Sequence, residues 1–205
     1  SLASSASESE LSLKLDTLGV EKKSIQLNHS SFDAFVQGLA PDIVLFDRFI
    51  TEEQFGWRVA EFAPNALRIL DTEDLHSLRH AREKAFKKDV PFTNEFWLKE
   101  DKTKREIASI YRSDLSLIIS SYEMDLLLNV LHIDRSLLLH LPFMLPQITQ
   151  TQTKAWPSFE ERKDFICIGN GKHAPNVDAV VWLQREIWPL IRAALPKAKL
   201  NIYGA

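Results

Sequence analysis

The chain has one cysteine, Cys167, so it forms no intrachain disulfide framework and suits a reducing compartment. Cys167 sits inside the apolar run FICI and is expected in a core. No apolar run approaches the roughly 20 residues that a membrane-crossing helix needs. The opening SLASSASESE has neither the basic nor the apolar region of a signal peptide, and a cytoplasmic protein is expected. An excess of one charge is also missing. The 25 Lys and Arg against 28 Asp and Glu leave a formal net charge of -3, which provides no field to gather nucleic acid and no basic tract for an anionic membrane surface. No spacing of His and carboxylates matches a recognised metal site, so neither a metal nor a bound cofactor is expected. What is present is an ordinary globular composition, 45% hydrophobic over 205 residues, enough for one large domain or two small ones.

Read in order, the chain alternates helical and strand patterns. Ser7 to Leu18 has the leucine spacing of a helix, with Gly19 placed for a left-handed cap, and Ser24 to Leu27 reads as a strand. Phe32, Phe35, Val36 and Leu39 mark an amphipathic helix that Pro41 ends before a strand at Ile43 to Phe46. TEEQ at 51–54 has the form of a capping box opening the next helix. Phe86 to Lys104 reads as a loop leading to a helix at Arg105 to Tyr111. Strands are expected at Leu115 to Ile119 and Ser136 to Leu141, with a helix from Tyr122 to Val130 between them. Apolar runs this continuous predict an α/β fold, a Rossmann-like parallel sheet covered on both faces. No strand is expected before the first helix.

One stretch concentrates chemistry. Leu67 to Leu70 is a short buried strand, and Asp71, Thr72, Glu73 and Asp74 follow at its carboxyl end, where a helix begins. Asp71 and Glu73 could simply cap that helix. His76, Arg79, His80 and Arg82 share one of its faces, which a solvated basic surface would also explain. One unit earlier, DIVLFDRF delivers Asp47 and Arg48 to a neighbouring strand end. The carboxyl edge of a parallel sheet is where ligands bind. Asp71, Asp74 and His76 are therefore the candidate catalytic residues, with Asp47, Arg48 and Arg79 as secondary cleft candidates.

Residues 143–163, with Pro146 and Pro157 inside and a TQTQT run, read as a linker between a first domain at 1–142 and a second beginning at 164. The second comprises a strand at Phe165 to Ile168, the turn Gly169, Asn170, Gly171, a helix from about Asn176 broken near Pro189, and a strand at Leu200 to Tyr203. Val180, Ile187, Ile191 and Ala194 lie along one side of that helix. One βαβ unit does not close a core, and the segment is expected to be the excised middle of a longer chain.

Ile168, Gly169, Asn170, His173, Pro175, Asn176, Asp178, Ala179, Trp182, Ile187, Pro189, Leu195, Pro196 and the closing IYGA from Ile202 form a pattern over about forty residues. This pattern resembles the start of the carboxyl-terminal domain in the group 1 glycosyltransferases, the retaining class built from two facing Rossmann-like domains. LRILDTEDLHSLR resembles the part of the amino-terminal domain that faces the cleft. The resemblance implies transfer of a glycosyl group, with retention, from a nucleotide-linked donor to an acceptor, and no cofactor beyond that donor. Gly169, Asn170, Gly171, Lys172 and Asn176 would then bind the donor, with backbone N–H groups and the Lys172 ammonium facing its diphosphate. The glutamate pair by which the class holds its donor does not occur in these residues, so the 205 residues alone are expected not to turn over. Two rivals stand beside this reading. One is a non-catalytic doubly wound binding module. The other is a phospho-receiver, suggested by Asp47 alone and disfavoured because Ser120 stands where its lysine would be sought.

Overall fold

The structure, a computed structural model, describes residues 1–5 and 12–204. The chain divides into two compact units, Ser1–Met144 and Leu145–Ala205.

The first unit opens with strand β1 (Leu2–Ser4), correcting the expectation that no strand precedes the first helix; β1 pairs in parallel with β2 (Lys22–Ser24). The helix expected over Ser7 to Leu18 lies partly outside the described residues. Its remainder is a 3-10 turn, Leu15–Leu18, closed by Gly19 at φ 71°. Helix α1 (Ser31–Leu39) buries Phe32 and Val36 and ends at Ala40, just before Pro41.

Four parallel strands follow in the order β3 (Ile43–Asp47), β4 (Leu67–Asp71), β5 (Leu115–Ile118) and β6 (Leu138–His140). A 3-10 turn, Arg135–Leu137, replaces the first part of the last expected strand. Helix α2 (Arg48–Phe62) links β3 to β4. It starts three residues before TEEQ, so Thr51 is inside the helix and caps nothing. The cause is Arg48, whose φ of 65° turns the chain from strand to helix in one residue.

The expected loop at 86–104 is largely helical. Helix α3 (His76–Lys87) is followed by α4 (Asn94–Leu98) and α5 (Asp101–Arg112). Thr93 caps α4 by accepting the Phe96 N–H, and Trp97 is completely buried. Helix α6 (Ser121–Asn129) is capped by Ser120, whose hydroxyl accepts the Glu123 N–H.

Parallel neighbours joined in sequence by right-handed crossovers place their helices on one side of the sheet. The burial follows that rule. Phe46, Leu70, Ile118 and Leu138 are buried, whereas Ile43, Leu45, Leu67 and Leu139, on the alternate side, are exposed. The expectation of cover on both faces therefore holds for one face among the described residues. Ion pairs tie the helical layer together: Arg58 meets Asp33 at 2.5 Å, and Arg112 meets the buried Glu52 at 2.5 Å. Gly56 makes room for Glu52, because a Cβ there would strike the carboxylate.

In the second unit, the expected linker contains helix α7 (Gln150–Lys154) with a complete Thr149–Gln152 capping box. Strand β7 (Phe165–Ile168) pairs in parallel with β8 (Leu200–Tyr203). Between them run α8 (Ala174–Trp182), a π turn at Leu183–Ile187, and α9 (Trp188–Ala194). Pro189 has no N–H to give the carbonyl four residues back, and the ladder widens into the π turn just before it. Cys167 is half-buried rather than a core residue.

Candidate active site

The β3–β4 register puts Asp47 directly beside Asp71 at the carboxyl edge, so both acidic strand ends arrive at one rim. Arg48 binds Asp47 through both carboxylate oxygens, at 3.2 and 2.9 Å, and lies 3.7 Å from Glu73. That pairing raises the Arg48 pKa further. Asp71 accepts the Glu73 N–H at 3.1 Å, which holds Glu73 in the left-handed region at φ 56°. Asp74 meets Arg79 at 3.0 Å.

His76 is largely buried, its ring edge-on to Phe49 at 6.2 Å. Arg79 Nη2 lies 3.3 Å from His76 Nδ1. Because a guanidinium only donates, Nδ1 accepts and the neutral ring carries its proton on Nε2. Burial lowers the His76 pKa, opposed by Asp74 and reinforced by Arg79 and Arg48. Nε2 is 3.1 Å from Asp74 Oδ1, yet it has no hydrogen-bond partner; the distance is met and the alignment is not.

The start of α3 is capped from elsewhere. Glu106 on α5 accepts the His76 N–H at 2.9 Å, the Ser77 N–H at 3.0 Å and the Ser77 hydroxyl at 2.5 Å. Glu123 on α6 accepts the Leu75 N–H at 3.0 Å, and the Trp97 indole N–H donates to Ser77 Oγ at 2.8 Å. Neither Asp71 nor Glu73 caps this helix, so the capping expectation is corrected. Burial raises the Glu106 pKa to about 7 and also raises that of Glu123. Sequence reasoning passed over both glutamates. The available signal was a carboxylate at 106 within the turn spacing of Thr103 and Ile110, on the buried stripe of its helix.

A cleft of about 450 Å³ opens at this edge. Asp71, Glu73 and Asp74 line one part of it; Leu117, Ile119 and the segment 141–144 line the rest. The expected catalytic carboxylates therefore reach the cleft, while His76 stands behind them and is not among its lining residues. No group of three or more His, Cys, Asp or Glu among the described residues is placed to hold a metal ion. No helix among them is long and apolar enough to cross a membrane.

The expected donor turn lies in the second unit. Gly169 N–H is given to Tyr203, Gly171 N–H to Gly204 and Lys172 N–H to the Asn170 side chain. His173 N–H goes to Asn170, Asn176 N–H to His173, and the Asn176 amide to the Asn170 carbonyl. A Cβ on Gly169 would meet the Asn176 side chain at 3.2 Å, so this glycine permits a close local contact. Most amides of the turn are already spent, either within it or on the end of β8.

No protein-family model, curated protein or solved structure matches the chain.

Proposed function

We propose that the chain is part of a retaining glycosyltransferase that moves a sugar from a nucleotide-linked donor to an acceptor in the cytoplasm. The observation that carries this reading is the convergence of Asp47, Arg48, Asp71, Glu73, Asp74 and Arg79 on one carboxyl rim beside a cleft. A parallel sheet delivers ligand-binding groups to that edge. Asp71 and Asp74 would orient acceptor or sugar hydroxyls by accepting their hydrogen bonds. Arg48 and Arg79 balance the charge of the acidic loop, and neutral His76 lies behind it, 3.1 Å from Asp74. Lys172 would add a point charge on the donor diphosphate.

A second reading, a non-catalytic binding module, is favoured by the spent amides of the 169–176 turn and by the buried Nε2 of His76. One experiment separates the two. The parent protein is incubated with a panel of nucleotide sugars and acceptors, and nucleoside diphosphate release is followed in wild type and Asp71→Asn. Transfer that Asp71→Asn abolishes supports the enzyme; nucleotide-sugar binding without release in either protein supports the module.

A further inference from the structure

The cleft and the exposed face of the four-stranded sheet are one continuous surface. Strand alternation sets Leu67, Ile69 and Asp71 on the same side of β4. The register then aligns Ile43 with Leu67, Leu45 with Ile69 and Leu115, and Asp71 with Leu117 and Leu139. The last of these rows enters the cleft, which both Asp71 and Leu117 line. An apolar strip thus runs along the strands and ends at carboxylates. Ile43 and Leu45 are 58% and 56% exposed, and Phe143 and Met144, at the cleft mouth, 79% and 83%.

The carboxylates are unequally compensated. Asp74 holds Arg79 at 3.0 Å, and Glu73 reaches Arg48 only at 3.7 Å. Asp71 accepts a backbone N–H and has no ion pair among the described residues. The end of the strip therefore favours a head that donates hydrogen bonds or carries positive charge, and repels an anion.

The size of the strip selects its occupant. Four strands of three to five residues present a face of about 250 Å², against roughly 800 Å² per partner in a stable protein interface. A second copy of the chain is poorly matched, whereas the cleft falls within the range of small-molecule sites, roughly 300–1,000 Å³. We propose that this surface binds an amphiphile, with its apolar chain in the cleft and along the strip and a hydroxyl- or ammonium-bearing head at Asp71. Calling this ligand the acceptor rests on the glycosyl-transfer reading; its binding does not.

The test titrates hexyl-, octyl- and decylamine, and decyl sulfate, into the 205-residue chain below their aggregation concentrations, read by calorimetry. The Kd is expected to fall about fourfold for each added methylene. Decylamine should bind at least tenfold more tightly than decyl sulfate, and Asp71→Asn should erase that preference. Phe143→Ser combined with Met144→Ser alters largely exposed side chains, so it should leave the melting temperature unchanged and weaken decylamine about tenfold. Equal affinity for amine and sulfate, no dependence on chain length, or indifference to the Phe143 and Met144 changes would overturn the proposal. So would dimerisation, seen by light scattering, that decylamine does not reverse. No donor sugar enters these titrations, so a failed transfer assay leaves a positive result standing, and a failed titration leaves transfer to a polar acceptor intact.

Discussion

The two units build the same motif, parallel strands joined by a helical crossover, but secure it in different ways. In Ser1–Met144 the candidate loop at 71–77 is held by Glu106 and Glu123, carboxylates from helices distant in sequence, behind which Trp97 is fully buried. In Leu145–Ala205 the turn at 169–176 is held by the backbone at the end of β8, through Tyr203 and Gly204, and by its own Asn170 and Asn176, and no described residue is buried. Capping from a distance leaves Asp71 and Asp74 free to face a cleft. In the second unit the bonds that hold the turn, to β8 and within the turn, consume the amides that a diphosphate would otherwise use. A turn thus offers a ligand only the groups that holding it leaves unspent, which are side chains in the first unit and few backbone amides in the second.

The largest expected effect tests that contrast directly. Trp97→Ala should cost about 3–5 kcal/mol in urea unfolding, as loss of a buried aromatic does. Trp188→Ala, which loses an edge-on contact with Phe165 at 5.8 Å, should cost about 1 kcal/mol. Equal costs would break the comparison.

The next effect is a pH dependence. Burial raises Glu106 from 4.5 to about 7, outweighing its three hydrogen bonds, and Asp74 pushes in the same direction. The folded chain therefore keeps a proton that the unfolded chain loses between those values. The resulting stability is fully present below 4.5, falls as pH climbs toward 7 and is flat above. Glu106→Gln should flatten this decline, whose total is about 3 kcal/mol. Denaturation midpoints of both proteins measured across pH 4 to 8 check it, and an unchanged slope in the variant would assign the dependence to another group.

Asp71→Asn and His76→Ala should each lower transfer by the parent protein on the order of a hundredfold, with stability changed by about 1 kcal/mol. A protein that melts early yet keeps its turnover would show that the loop serves the fold instead. The smallest effect belongs to the second unit. Lys172→Ala should weaken nucleoside diphosphate binding by about 1 kcal/mol and leave nucleoside binding unchanged. If the diphosphate binds equally well to both, the ammonium takes no part in holding it.

The strands were legible where apolar residues run together between turn signals. Ile43 to Phe46, Leu67 to Leu70 and Phe165 to Ile168 are strands as expected, each within a residue at its ends. The helix at Ser31–Leu39 was legible for the same reason, since periodicity and Pro41 both mark it. The TEEQ box misled because a capping pattern is local, whereas the start of α2 was decided by the left-handed turn at Arg48. The stretch 86–104 misled because its charge hides one buried face: Trp97 and Thr103 point inward while Lys99, Lys102 and Lys104 do not.

The sequence by itself determined which residues reach the rim, because alternation along a strand and the position of its carboxyl end are set by local pattern. It placed Asp47 beside Arg48, and Asp71 beside Asp74, without reference to anything distant. Only the tertiary structure decided what those residues can do. Glu106 and Glu123 come from helices 29 or more positions away to cap α3, and among the described residues of the first unit the strand order leaves one apolar face of the sheet without a helical layer. Burial and partner choice depend on which elements meet, and that meeting is a property of the packed whole that no short stretch of chain encodes.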